Sequence, residues 1–375
     1  MNKNQLLAYQ IGIIGQFHHP ELPPIILIGR SGIGKTAVTK AIAKAMRKKL
    51  FGFEMSGKCA EDISGYGVPD HTTGTMRFYP DAYVRAILDL PEGSCIVFFD
   101  EICDLVPSVQ RAVHPVLCGK TFGIEQLPLL TALCGAGNPP EISTTGGAMA
   151  IPVRKRVCCI DADTDANAWA DGHESGFKNM DVVEFDSSWT AHIPQERSMV
   201  SAFIRNAPEY LDKDAAESHL AAPCPRQWTH VALYNALCKG TKHMEARMIL
   251  LAGCIGEELA LKYVNWEKKQ DIPDWRDVLS GEVNQHSPNW PKRGDQILTM
   301  AKACVAGTLS DGEFTCQNVQ ACWDLIGTLY ETGHADYASL ACIDLAKAGS
   351  PKGWNGTLPD VEELFEILKD AGLID

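Results

Sequence analysis

The stretch Ile25-Ile-Leu-Ile-Gly-Arg-Ser-Gly-Ile-Gly-Lys-Thr36 constrains this 375-residue chain more than any other. Ile25 to Ile28 is a short, β-branched-rich apolar run that stops at a glycine, which reads as a buried strand. Gly29 to Thr36 then fits G-x-x-x-x-G-K-[ST], a phosphate-binding loop. Gly29, Gly32 and Gly34 let the backbone turn back on itself, so that successive N–H groups can point at phosphate oxygens. The candidate nucleotide contacts are Gly29, Arg30, Ser31, Gly32, Ile33, Gly34, Lys35, Thr36 and Ala37. Lys35 is placed to reach the β- and γ-phosphates, and the Thr36 hydroxyl to hold Mg²⁺. A helix expected over Ala37 to Lys49 starts under the phosphates and adds its dipole. The pattern implies a nucleoside triphosphate ligand.

A second stretch, Cys95-Ile-Val-Phe-Phe-Asp-Glu101, is a buried strand ending in two carboxylates, the Walker B pattern. Asp100 suits the Mg²⁺ shell, and Glu101 suits the general base that deprotonates water attacking the γ-phosphate. A further strand, Leu129 to Gly137, runs into Asn138-Pro-Pro140, where Asn138 can touch both the attacking water and the γ-phosphate.

The rest of the chain frames these motifs. A helix is expected over residues 4–18, with Leu7, Ile11 and Ile14 on its apolar face. Phe51 to Met55 reads as a strand, Asp81 to Leu90 and Val109 to Cys118 as helices, and Val157 to Asp161 as a fifth strand after Arg154-Lys-Arg156. Hairpins are expected over Val68 to Phe78, turning at Gly74, and over Gly119 to Pro128. Glu141 to Ile151 is a small-residue loop expected to move, and residues 162–192 are polar with little periodicity. Strands alternating with helices imply a mostly parallel sheet covered on both faces. From Pro194 the pattern is helical, over 194–206, 226–239, 244–266, 294–306, 315–332, 336–347 and 359–371. Met244, Met248 and Leu251 at helical spacing read as core.

Net charge is −13 and uneven: residues 1–160 carry +3, and residues 161–375 carry −16. An acidic second half argues against broad nucleic-acid binding, which rests on neutralising phosphates. No apolar stretch approaches the roughly 20 residues that span a bilayer, and Met1 to Gln5 lacks a secretory signal pattern, so a cytoplasmic protein is expected. The 14 cysteines form no C-x-x-C pair, and Cys95, Cys134, Cys158, Cys159 and Cys254 lie in apolar runs, as buried thiols would.

Phosphate loop, Asp-Glu Walker B and Asn-Pro, in that order, resemble an AAA+ ATPase. Three details resemble its MoxR-like branch, near the MCM helicases and magnesium chelatase. Glu61 to Pro69 with the hairpin after it resembles an insert in helix 2, Gly119 to Pro128 the hairpin before sensor 1, and Ala222-Pro-Cys-Pro-Arg-Gln-Trp228 the sensor-2 motif that opens a lid helix. The resemblance implies a five-stranded parallel AAA+ sheet flanked by helices over residues 1–192. It further implies an all-α lid over 193–285, and a helical C-terminal extension over 286–375 is expected beyond it. Arg226 becomes the sensor-2 candidate. An arginine reaching into a neighbour's site corresponds to Arg156, in a Lys155-Arg-Val157 step that lacks the family's Asn and Phe; nearby Arg154 stays open. Tyr66 could face a ring pore or be a packed turn residue.

The resemblance implies ATP and Mg²⁺ as cofactors, a homo-hexameric ring, a von Willebrand factor A domain partner and a protein client remodelled by hydrolysis. Two alternatives stay open: an MCM-like nucleic-acid motor, for which Arg77 and Lys120 in the two hairpins are the basic residues, and a nucleotide-gated scaffold with little hydrolysis.

Overall fold

The computed structural model describes residues 1–142, 149–175, 180–213, 220–370 and Gly372. Most of the small-residue loop expected over 141–151 lies outside the described residues. Packing divides the chain into two compact units, the first of residues 1–187 with 209–261 and the second of residues 188–208 with 262–375.

The first unit is built on a five-stranded sheet in the order β2-β5-β8-β1-β9, every neighbouring pair parallel. Its strands are β1 (Ile25–Ile28), β2 (Lys49–Glu54), β5 (Cys95–Asp100), β8 (Ala132–Gly137) and β9 (Cys158–Asp161). β1 and β8 are buried along their whole length, which is why they read as continuous apolar runs rather than alternating ones. The expected α/β sheet is therefore present, with the phosphate loop leaving the central strand.

Helices α1 (Lys3–Gly15) and α2 (Lys35–Ala45) pack on this sheet. α1 is buried on nearly every side, including Tyr9, Ile13 and Gly15, whereas Leu7 of the expected apolar face is only half-buried. Gly12 and Gly15 allow that close approach: a Cβ on Gly12 would lie 2.1 Å from Ile25. α2 ends four residues short of the expected Lys49, because Arg47 takes a left-handed φ of 55° and Lys49 already pairs in β2.

Between β2 and β5 lie α3 (Glu61–Ser64), the antiparallel hairpin β3 (Tyr66–Asp70) with β4 (Thr75–Tyr79), and α4 (Ala82–Leu88). After β5, α5 (Pro107–Gly119) leads into a second hairpin, β6 (Thr121–Phe122) with β7 (Glu125–Gln126). Phe122 anchors that hairpin by stacking with Phe53 and Phe99 in the core, leaving Ile124 at its tip 69% exposed. Three short helices of this unit were not expected: α3, α6 (Ile151–Arg154) and α7 (Ala166–Ser175).

Two further helices, α9 (Pro225–Gly240) and α10 (Met244–Ile255), follow α8 (Ile193–Asn206) in sequence. α10 packs on α1, α9 and β9. Its buried side carries Ala246, Leu250, Leu251 and Cys254; Met244, expected in the core, is exposed, and Met248 is half-buried. The single helix expected over 244–266 is broken at Gly256, whose φ of 87° ends α10 before α11 (Glu257–Glu267) begins.

The second unit is helical: α8, α12 (Trp275–Leu279), α13 (Gly294–Thr308), α14 (Cys316–Glu331), α15 (Ala335–Ala348) and α16 (Glu362–Asp370). Trp275, Met300, Cys304, Trp323, Ile326 and Cys342 fill its core. α12 was not expected. Among the described residues no helix is long and apolar enough to cross a membrane.

Candidate active site

The carboxyl ends of three adjacent strands, β1, β8 and β5, carry the phosphate loop, Asn138 and the Asp100-Glu101 pair. In a parallel sheet this is the edge at which ligands bind. The glycines are required by the backbone around them. A Cβ on Gly29 would sit 2.4 Å from the Ala162 carbonyl, and Gly32 and Gly34 have φ of 83° and 91°. Gly34 is the residue before α2, so the loop runs straight into that helix's N-terminus.

Side chains expected to cooperate from distant parts of the sequence meet here. The Thr36 hydroxyl donates to Asp100 Oδ2 at 2.6 Å. Lys35 Nζ donates to the carbonyls of Gly29 at 2.6 Å and Arg30 at 3.0 Å, and to Asn138 Oδ1 at 3.1 Å. Partial burial holds the Lys35 ammonium below its usual pKa, and Asp100, Cys103 and Glu101 pull it back up. Thr36 and Asp100 offer adjacent hard oxygen donors beside a phosphate loop, a donor set that fits Mg²⁺.

Glu101 has a left-handed backbone, φ 57° and ψ 35°, and its N–H donates to Asp100 Oδ1 at 3.1 Å. A non-glycine residue held there costs about 1 kcal/mol or more, which the surrounding strand end must offset. Behind the pair, Cys103 packs against Gly137, where a Cβ would come within 2.3 Å of its sulfur. Burial pushes the Cys103 thiol up to about 12, so it stays neutral beside the lysine.

Supports under the loop were not foreseen. Tyr9, fully buried on α1, hydrogen-bonds Thr39 at 2.8 Å, and Thr39 donates to the Lys35 carbonyl at 3.1 Å. Helical spacing from Lys35 points Thr39 inward; nothing local to Tyr9 announces its partner.

Arg156 and Arg226 are not at this edge. They share a cavity of about 470 Å³ with Pro24, Cys118, Leu129 and His230, at the amino ends of the strands. The two edges are one strand length apart, about 13–20 Å. Arg156 Nη1 donates to the Pro152 carbonyl at 2.6 Å, and Arg226 is exposed near the start of α9. The next residue, Gln227, donates to the carbonyls of Arg154 and Val157 at 2.9 and 2.8 Å, which pins α9 to the turn before β9. Arg154 is buried. Burial, then both arginines, depress His114; burial and Arg226 take His230 down to about 3.

Tyr66 is 49% exposed, and its hydroxyl donates to Asp62 Oδ1 at 2.5 Å. That bond pushes Tyr66 up to about 12 and Asp62 down to about 2.

Part of the chain is similar to known proteins. Residues 24–130 match the family model of the AAA domain, dynein-related subfamily. Over 87 residues the chain is 31% identical to the Lon protease of Leptospira interrogans, a stretch that is 23% of this chain and 10% of that protein. A solved structure of a candidate ATPase from Cytophaga hutchinsonii aligns over 68% of this chain and 87% of its own, at 14% identity and a TM-score of 0.46. The domain match, together with the loop and the sheet, supports an ATPase of the AAA+ class, with a nucleotide as its ligand.

Proposed function

We propose that this chain is a Mg²⁺-dependent ATPase of MoxR-like type, assembled head to tail so that each nucleotide site is completed by the next subunit. One observation carries the reading. The carboxylates and phosphate loop lie at one edge of the sheet, while Arg156 and Arg226 lie together at the other. Within one subunit they cannot share a γ-phosphate. Stacking one edge on the opposite edge of a neighbour is a heterologous contact, which makes a ring where its rotation closes, and a hexamer is the size the resemblance implies.

In such a site the loop amides and Lys35 hold the β- and γ-phosphates. Thr36 and Asp100 would hold Mg²⁺, which would supply charge neutralisation on the phosphate oxygens. Glu101 accepts the proton of the attacking water and Asn138 orients that water. The neighbour's Arg156, seconded by Arg226, stabilises the charge that builds on the γ-phosphate. The hairpin of β3 and β4 exposes Val68, Met76, Phe78 and Tyr79, an apolar surface suited to a protein client. A von Willebrand factor A domain partner remains an expectation of the resemblance.

The nucleic-acid motor is less well supported. Arg77 is paired with Asp70 at 2.7 Å, and buried Lys120 donates to the Leu129 carbonyl, so both insert cations are engaged within the chain.

Complementation tests the proposal. Glu101→Gln and Arg156→Ala should each bind ATP and each lose hydrolysis by about 100-fold or more. Mixed equally and allowed to exchange subunits, they should regain activity, because about a quarter of the interfaces pair an intact Glu101 with an intact Arg156. If the mixture stays as inactive as its parts, the arginine does not act across a boundary.

A further inference from the structure

A groove in the second unit uses no residue of the nucleotide site. It opens between α8, α13 and α15, with a volume of about 410 Å³. Arg197, Ser201 and Arg205 recur every fourth residue along one side of α8, which sets the two arginine Cα atoms about 12 Å apart. Lys302 on α13 and Lys347 on α15 complete a basic rim. Asp344, also in the lining, is ion-paired to Lys302, so that pair is neutral and the rim's positive charge rests on Arg205 and Lys347. Among the described residues neither Arg205 nor Lys347 has an ion pair, and both are exposed. Val305, Ala306 and Leu309 give the groove an apolar floor.

This concentration of cations runs against its setting, since residues 161–375 carry −16 overall. We propose that the groove binds a short acidic segment of a partner protein, its carboxylates on Arg205 and Lys347 and an apolar side chain on the floor. Charge complementarity selects that occupant. A long polyanion would also meet the net −13 of the whole chain, whereas a short segment is neutralised where it lands.

The probe is a fluorescein-labelled peptide repeating Glu-Glu-Leu over about 12 residues, followed by anisotropy on the full chain without nucleotide. Saturable binding is expected, weakened by added salt and weakened about tenfold in R205E/K347E. The reversed groove should instead take up a Lys-Lys-Leu peptide, a gain that misfolding cannot produce. Equal binding of a Gln-Gln-Leu peptide, or unchanged binding in R205E/K347E, overturns the proposal. So does preferential, Arg205-dependent capture of a single-stranded oligonucleotide or of phosphatidylserine vesicles. Self-association of the parent chain that R205E/K347E abolishes would assign the groove to a second copy and also overturn it. Neither residue belongs to the proposed nucleotide site, so hydrolysis by R205E/K347E should match the parent, and failure here leaves the ATPase reading standing.

Discussion

Glu101 is held in a backbone conformation that suits glycine better than glutamate, at the position where the proposed chemistry needs a general base. Glu101→Gly should therefore stabilise the chain by about 0.5–1 kcal/mol in urea melts while removing hydrolysis, a trade of activity for stability. A fall in stability would mean that the side chain holds the strand end together. His230 sets a pH dependence. Its Nδ1 lies 2.8 Å from Gln227 Oε1, and its folded pKa, about 3, is below the usual value of 6.5. Between those values the unfolded chain binds more protons, so stability should be full above about pH 6.5 and fall as the pH drops towards 3. Urea midpoints at pH 7.5 and 5 check the sign, and His230→Gln should flatten the difference. At this scale the placing of the loop, Asp100 and Asn138 at one sheet edge was readable, because local spacing sets each of them at the end of a strand. Tyr9 and Cys103 were not, because each acts through a partner far away in sequence or through packing alone.

Elements were readable where one face or one run decides them. β1 and β8 are buried along their whole length and β5 is apolar up to its final Asp100, so each reads as one continuous run. The break between α10 and α11 was missed because Gly256 sits inside an unbroken helical pattern, and only its positive φ stops the helix. α1 forms where expected, with Ile11 and Ile14 buried, but it is covered on nearly every side, so no stripe marks a single inner face. α10 lies against β9 at Gly253, where a Cβ would meet Cys158 Sγ at 2.6 Å and the Cys159 carbonyl at 2.7 Å. Gly253→Ala should cost about 1–3 kcal/mol by thermal or urea unfolding, since backbone stands in the way and neither element can retreat cheaply. Unaltered stability would show that α10 can slide along the sheet.

At the scale of the whole molecule, the convergence of Arg156 and Arg226 was out of reach of the sequence. They are brought together by Gln227 bonding the turn before β9, a contact that no spacing encodes. The first compact unit takes in residues 209–261 because α10 packs on β9 and α9 packs on α10. All 14 cysteines are free, and only Cys59, Cys118 and Cys316 are exposed. The chain thus carries its own chemical footprinting probes. Cys118 lines the same cavity as the two arginines. A thiol reagent should modify Cys59 and Cys316 of an isolated subunit quickly and Cys118, whose thiol burial pushes up, more slowly. In an assembled ring it should find Cys118 shielded, so that loss of this third, slower modification counts the closed interfaces without any mutation.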